Sequence, residues 1–437
     1  MTPFQGLFFV GSNLCGIIMR YQSLFLSAGL VLLLASPAYA EISKEITLDE
    51  ATSQALRFSP KLKSGVEAVG ATKGDRRQSA LAPNPELAFE AENMLGTGAK
   101  SGFKEAEFTL GIAQPVEMGG KRGARVKAAN QQLGIAQLDL QSIALDVVRD
   151  TTAAWAEVIA TSEEAKLATE QSKLAGDVLA SVNKRVEAAA EPAIQRSKAE
   201  VEVASTKIAV RKAERAHTAA LQHFAQVIGL DDLHPTVSQE GFFDLPQLDT
   251  SATLEQNPDF KKLEAGIQLA SANLALEKTN AVPDVTFEVG VRNSRDKDDQ
   301  SFLAGVSVPF PVFNRNQGAI MRAGHKLTKA NHDKVASVNE MQIALVRAQN
   351  NLETTYAESS SLKKSVLSYA EKAFRQAREG YQAGKFSYLE VLDAQRTLFD
   401  VKAQRIAALK EYHAAKAEYE RLTAKHIGLI EVQGDKK

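Results

Sequence analysis

The sequence predicts a mainly α protein with a small β part, assembled by internal duplication. Three observations carry this. Two proline-free stretches are far longer than any helix a compact domain needs. Four short segments alternate apolar and polar residues. Several passages recur at a nearly constant displacement along the chain. From Lys121 to Glu187 the residues are good helix formers, interrupted only by Gly123, Gly134 and Gly176. The 66 residues Arg122 to Glu187, at about 1.5 Å each, give a rod of about 100 Å. An ordinary helix has only about 11 or 12 residues. Val126, Leu133, Leu140 and Val147 recur every seventh residue, with Leu138 and Leu145 beside them, which is a seam for a neighbouring helix. Ala188-Ala189-Ala190-Glu191-Pro192 allows a reversal, since Pro192 suits a first helical turn. Ala193 to Ile228 then reads as a helix returning until Gly229 stops it.

The amino terminus is different material. Met19-Arg20 precedes an apolar run from Leu24 to Leu34, and Ala38-Tyr39-Ala40 supplies a small-x-small cleavage pattern. Residues 1–40 therefore read as a signal peptide with an upstream extension of residues 1–18, and the mature chain as starting at Glu41. Cys15, the only cysteine, falls in the removed part, so a disulfide, a thiolate metal site and a lipid-bearing cysteine are not expected. With 52 Lys and Arg against 53 Asp and Glu, no nucleic-acid footprint is present. After the leader no run of 18 apolar residues occurs, so contact with a bilayer core would have to be made by strands.

The duplication is visible at a displacement of 198 residues. Ser59-Pro60-Lys61-Leu62-Lys63 matches Asn257-Pro258-Asp259-Phe260-Lys261, and Pro85 to Glu90 matches Pro283 to Glu288. Phe108 to Pro115 then pairs with Phe302 to Pro309, and Gly123-Ala124 with Gly318-Ala319, at 194 and 195. Each copy reads helix, strand, loop, strand, long helix, reversal, returning helix. Leu87, Phe89 and Ala91 alternate with Glu86, Ala88, Glu90 and Glu92; Phe108, Leu110 and Ile112 alternate with Glu107, Thr109 and Gly111. Val285, Phe287, Val289 and Val291, then Phe302, Ala304, Val306 and Val308, repeat the pattern in the second copy. Four strands cannot close a bacterial barrel, which begins at about eight, and lipid tolerates no open edge. Copies must associate, two giving eight strands or three giving twelve.

The helix lengths agree with this picture. Arg315 to Gly380 is a second rod of 66 residues, and Tyr388 to Lys425 is its returning helix. Pro60 to Ala82 and Pro258 to Asn280, 23 residues each, make up the difference between a returning helix and a full rod. Irregular segments, 230–256 and 426–437, read as a belt halfway along the rods. The division is 41–245 for the first repeat and 246–437 for the second with its C-terminal equatorial segment.

With these elements in order, the chain resembles the TolC-like outer-membrane efflux proteins over essentially its whole mature length. It is most similar to the branch serving cobalt-zinc-cadmium and copper-silver resistance pumps. The residues that carry the resemblance are Asn84-Pro85-Glu86-Leu87, the run Gln114 to Arg122, the run Val308 to Gly318, and Gly384-Lys385-Phe386-Ser387-Tyr388-Leu389-Glu390-Val391-Leu392-Asp393-Ala394. The resemblance implies a homotrimer whose twelve strands form a transmembrane β-barrel in the outer membrane, continued by a twelve-helix α-barrel in the periplasm. Its partners would be a periplasmic adaptor (membrane fusion protein), an inner-membrane RND pump and outer-membrane lipid, with no nucleic acid.

The same resemblance points to a site. Glu390 and Asp393 stand three apart at the start of a helix, where the family rings its periplasmic entrance with acids. Six carboxylates about a narrow mouth would focus a negative potential on cations; a plain alternative is that they complement the helix dipole. Tyr381 matches the family's gating tyrosine. Gln195 stands where a prototype gate has aspartate, and Phe386, close to Gly384, replaces an arginine, so an ionic latch is not carried over. The seven histidines lack the i, i+4 spacing of a helical metal site and read as surface residues, and six methionines do not make a soft-metal relay. No catalytic constellation and no cofactor motif stands out, so the expectation is a passive duct, not an enzyme. Competing cargoes are drugs or type I polypeptides. A periplasmic adaptor is the competing class, but it would have one hairpin and several β-rich modules.

Overall fold

The structure, a computed structural model, describes residues 45–231 and 233–428. The expected signal peptide, and residues 429–437 of the expected equatorial segment, lie outside the described residues. Within them the order is α1 (Leu48–Phe58), α2 (Pro60–Ser79), β1 (Glu86–Glu92), β2 (Glu107–Val116), α3 (Lys121–Glu187) and α4 (Ile194–Ile228). The second repeat gives α5 (Pro258–Thr279), β3 (Val285–Ser294), β4 (Asp299–Ser307), α6 (Gln317–Ser361), α7 (Leu367–Gln382) and α8 (Tyr388–Leu422). A π-helical turn, Leu362–Val366, joins α6 to α7, so the second rod stays helical but changes its winding there. The first rod, α3, is 67 residues of uninterrupted α-helix.

The helices lie side by side in one layer. Towards the sheet α3 is flanked by α2 and α5, with α6 beyond α5; towards the reversals it is flanked by α4 and α8, with α7 beyond α8. The predicted seam is real: Val147 and Leu145 are buried, and Leu140 and Ile143 press against Gly65 of α2, where an added Cβ would lie 2.9 Å from Leu140. The short helices stack end to end as expected. At the second junction Asn257, 0 % exposed, serves both helices. Its Nδ2 donates to the carbonyls of Arg421 and Leu422 at the end of α8, at 3.2 and 2.8 Å, while its Oδ1 accepts the Asp259 N–H of α5 at 2.7 Å. Around it Arg421 pairs with Asp146 of α3 and Asp259 at 2.8 and 2.6 Å. At the first junction Ser59, the counterpart of Asn257, makes no side-chain cap. There Gly229, at φ +71°, ends α4 directly against Phe58.

The belt is anchored midway along the rods. Trp155 of α3 donates its indole N–H to the Ser238 carbonyl at 3.1 Å, and His413 Nε2 of α8 bonds to the Phe242 carbonyl at 2.9 Å. The reading of every histidine as a surface residue fails here. His413 is buried, stacked on Phe242 and edge-on to Trp155, and burial lowers its pKa despite the opposing bond to Phe242. An imidazole there is an aromatic filler with one polar tip to satisfy.

The four strands form one antiparallel sheet in the order β1-β2-β3-β4. Its central pairing, β2 with β3, joins the two repeats, and β1 and β4 are the edges. Register aligns Leu87 with Ile112, Val289 and Ala304, and Phe89 with Leu110, Val291 and Phe302. One face is therefore apolar and open, with Phe302 91 % exposed. The other carries Glu86, Glu90, Glu92, Glu107 and Glu288; there Arg292 reaches Glu92 and Glu107 at 3.4 Å. Below the sheet, Asp284 accepts from the Met118 N–H and from Lys121 Nζ at 3.0 and 2.7 Å, and Arg125 grips Glu117, which accounts for Glu117 and Lys121 of the Gln114 to Arg122 run. Among the described residues no helix is long and apolar enough to cross a membrane.

Candidate functional site

The two reversals meet at the end of the rods far from the sheet. The first follows α3: the chain turns at Ala189, whose φ is +53°, and α4 starts after Pro192. Gln195 sits half-buried in the opening turn of α4, its N–H bonded to the Pro192 carbonyl at 3.0 Å. The second reversal follows α7. Gly384, at φ +72°, lets Lys385 and Phe386 turn their N–H groups back to the Gly380 carbonyl, at 2.8 and 3.3 Å. The Phe386 ring then lies against Gly380, where a Cβ would run into it. So Phe386 closes its own turn by packing.

Between the reversals lies an apolar cluster of Val182, Ala199, Ala377, Tyr381, Tyr388, Val391 and Leu392. Tyr381, 6 % exposed, is held by the first hairpin. The Arg185 guanidinium lies 4.6 Å from the Tyr381 ring centroid and donates through Nη1 to the Tyr381 carbonyl at 3.3 Å. Arg185 Nε stands 3.0 Å from Glu191 Oε1. Burial, then the adjacent Glu191 carboxylate, pushes the Tyr381 phenol up to about 12, so it stays protonated at neutral pH. Neither Arg185 and Glu191 nor Glu191 and Tyr381 completes a well-aligned hydrogen bond. Among the described residues eight buried side-chain atoms have none, and five cluster here: Asn183 Oδ1, Arg185 Nε, Glu191 Oε2, Arg196 Nε and the Tyr381 hydroxyl. Such atoms cost free energy while they stay buried.

Sequence reasoning places Tyr381, Gly384, Phe386 and Gln195 at this tip but misses Arg185 and Glu191. They stand six apart across a reversal, a spacing no helical rule pairs. The available signal was an arginine and a glutamate bracketing an alanine turn. Glu390 and Asp393 are exposed in the first turns of α8. Glu390 Oε2 also accepts from the Ser387 N–H and hydroxyl at 2.6 and 3.0 Å, a capping box that starts α8. Just beyond, Arg396 pairs with Glu202 of α4 at 3.0 Å and Lys402 with Glu170 of α3 at 2.8 Å, further ties between the hairpins.

The sequence profile of the family described as outer membrane efflux protein matches residues 51–230 and 250–424. The cobalt-zinc-cadmium resistance protein CzcC of Cupriavidus metallidurans is 28 % identical over 421 residues, covering 92 % of this chain and 99 % of that protein. The nickel-cobalt-cadmium resistance protein NccC of Alcaligenes xylosoxydans is 24 % identical over 69 % of each chain. Among solved structures, the Campylobacter jejuni CmeC outer membrane channel superposes with a TM-score of 0.74 at 14 % identity, covering 87 % of this chain and 88 % of that one. A profile that takes in both repeats, over most of the sequence, decides the kinship: this chain belongs to the outer membrane efflux protein family, whose members are ducts with a TolC-like fold.

Proposed function

We propose that three copies of this chain form the exit duct of a tripartite efflux system that discharges heavy-metal cations. An inner-membrane RND pump would deliver the cargo and a periplasmic adaptor would join pump to duct. The observation that carries the assembly is the open sheet. Among the described residues one copy has four strands, a bare apolar face and two unpaired edges, β1 and β4, an arrangement lipid tolerates only once closed into a barrel. Each repeat, 41–245 and 246–437, contributes one strand pair and one hairpin. The inner surface would then be the acidic face of the sheet, and Glu390 with Asp393 would ring the entrance.

Metal cargo rests on two supports: the names borne by CzcC and NccC, and the excess of carboxylates on both surfaces that cations would meet. At rest the entrance is latched by the first hairpin, through Arg185 and Glu191, holding Tyr381 of the second. The test is a strain whose copy of this gene is deleted, challenged with cobalt, zinc and cadmium salts. Loss of tolerance, restored by the intact gene, is expected. A strain that stays metal-tolerant but becomes sensitive to drugs would overturn the cargo assignment. Recovery of the protein from the inner membrane as a monomer would overturn the duct in favour of an adaptor.

A further inference from the structure

The duplicated rods differ in one respect that nothing in the tip explains. α3 is α-helical throughout, whereas its counterpart carries the π-turn Leu362–Val366. In that turn the Leu367 N–H reaches back to the Leu362 carbonyl, five residues away, so one extra residue is taken up in a wider loop. Such turns are weak points in a helical ladder, and helices bend at them. The setting is apolar: Leu362 packs with Ala370, Leu398, Val401 and Ala408. It also holds an unmet polar group: the Ser359 hydroxyl, one turn earlier and 1 % exposed, has no hydrogen-bond partner. Beyond the π-turn the rod is α7, an element that packs on α8 and carries Tyr381 in its last turn; before it α6 is held by both α5 and α8.

We propose that the π-turn Leu362–Val366 is the pivot on which the second hairpin leaves the latch, so that α7 swings while α6 and all of α3 stay in place. This rests on the latch assigned to Arg185, Glu191 and Tyr381. The lever is adequate: the 15 residue-to-residue steps from Val366 to Tyr381, at about 1.5 Å each, make an arm of about 22 Å. A kink of about 20° there carries Tyr381 roughly 8 Å, more than the 4.6 Å that separates its ring from Arg185. Release would expose to water the five tip atoms that lack a hydrogen bond, which offsets part of the loss of the Arg185–Tyr381 contact. A Gly or Pro hinge would weaken the rod at all times; a π-turn keeps it helical in both positions.

The experiment compares the wild-type trimer with the double variant Arg185→Ala, Tyr381→Phe, both full-length in detergent, by planar-bilayer conductance and hydrogen–deuterium exchange. Higher conductance is expected, with exchange over 359–367 rising at least about tenfold while 317–355 and the counterpart stretch 160–180 of α3 are unchanged. Higher conductance with 359–367 unchanged, or with α6 loosened along its whole length, would overturn the pivot and leave the latch standing. Unchanged conductance would remove the latch itself, and the pivot with it.

Discussion

At the scale of single residues, charge decides most of what can be tested. Glu390 and Asp393 are exposed, and Glu390 already has a structural task in its capping box. Replacing both by amides (Glu390→Gln, Asp393→Asn) preserves acceptors for the cap while removing two charges per copy. Cation preference in bilayer conductance should fall without loss of the folded trimer; unchanged selectivity would reduce both residues to helix starters. Glu420 offers a pH test. Burial opposes its ionisation, but hydrogen bonds from His426 and Lys425 prevail and pull the carboxyl down to about 2 from 4.5. Since the folded value is the lower one, its contribution to stability is complete above about pH 4.5 and is lost as pH falls through about 2. Glu420→Gln should therefore lower stability at pH 6 and differ little from wild type at pH 2, measured by thermal melting across that range. Residue identities were the least legible part of the sequence. Arg185 and Glu191 meet only because the chain reverses between them, leaving no more trace than two charges either side of an alanine run, and His413 is buried only because the belt folds over it, which leaves no local pattern.

At the scale of elements, length and propensity told most of the story. The bounds of α3 coincide with the propensity run from Lys121 to Glu187, since nothing inside it competes with helix. The ends of α2, α5 and α8 fall one to three residues short of their predicted ends, where backbone bonds give way to single turns at Ala80, Asn280 and Thr423. The π-turn was invisible, because Leu362-Lys363-Lys364-Ser365-Val366 holds no glycine or proline and its extra residue reflects packing against α8. End-to-end stacking was legible as arithmetic but not as chemistry: Asn257 supplies the chemistry by capping one helix and terminating another. Asn257→Ala removes an N-cap worth about 1 kcal/mol and takes the donor from the part-buried Leu422 carbonyl at about 1 kcal/mol, while the Arg421 carbonyl keeps the Ala424 N–H. The loss should be about 2 kcal/mol, seen as a lower melting temperature, whereas Ser59→Ala at the uncapped first junction should cost much less. Equal losses at the two sites would contradict the role given to Asn257.

At the scale of the whole molecule, the two faces of the sheet make opposite demands. Val289, in the middle of β3 on the apolar face, should tolerate no charge: Val289→Arg would cost about 2–4 kcal/mol at the bilayer midplane and deplete the heat-resistant trimer from outer-membrane fractions. Glu288→Gln, its neighbour on the opposite face, should leave assembly intact. The fold class was readable at this scale because alternation and duplication are long-range signals that survive any uncertainty in single residues. The pairing of β2 with β3 has one more consequence. If two halves of a chain meet as two chains do, the ring is a hexad of half-chains in which three joints happen to be covalently tethered. The tethered joint then dictates the geometry of the free one. Ile112 faces Val289; shifted by the repeat displacements of 194 and 198, that pair becomes Val306 facing Ala91 of the next copy. Val306→Cys with Ala91→Cys, in a Cys15→Ser background, should therefore oxidise into covalent trimers, while moving the second cysteine to Phe89 or Asn93 should not. Bridging at either of those positions in place of Ala91 would mean that nature altered the stitch when it fused the halves.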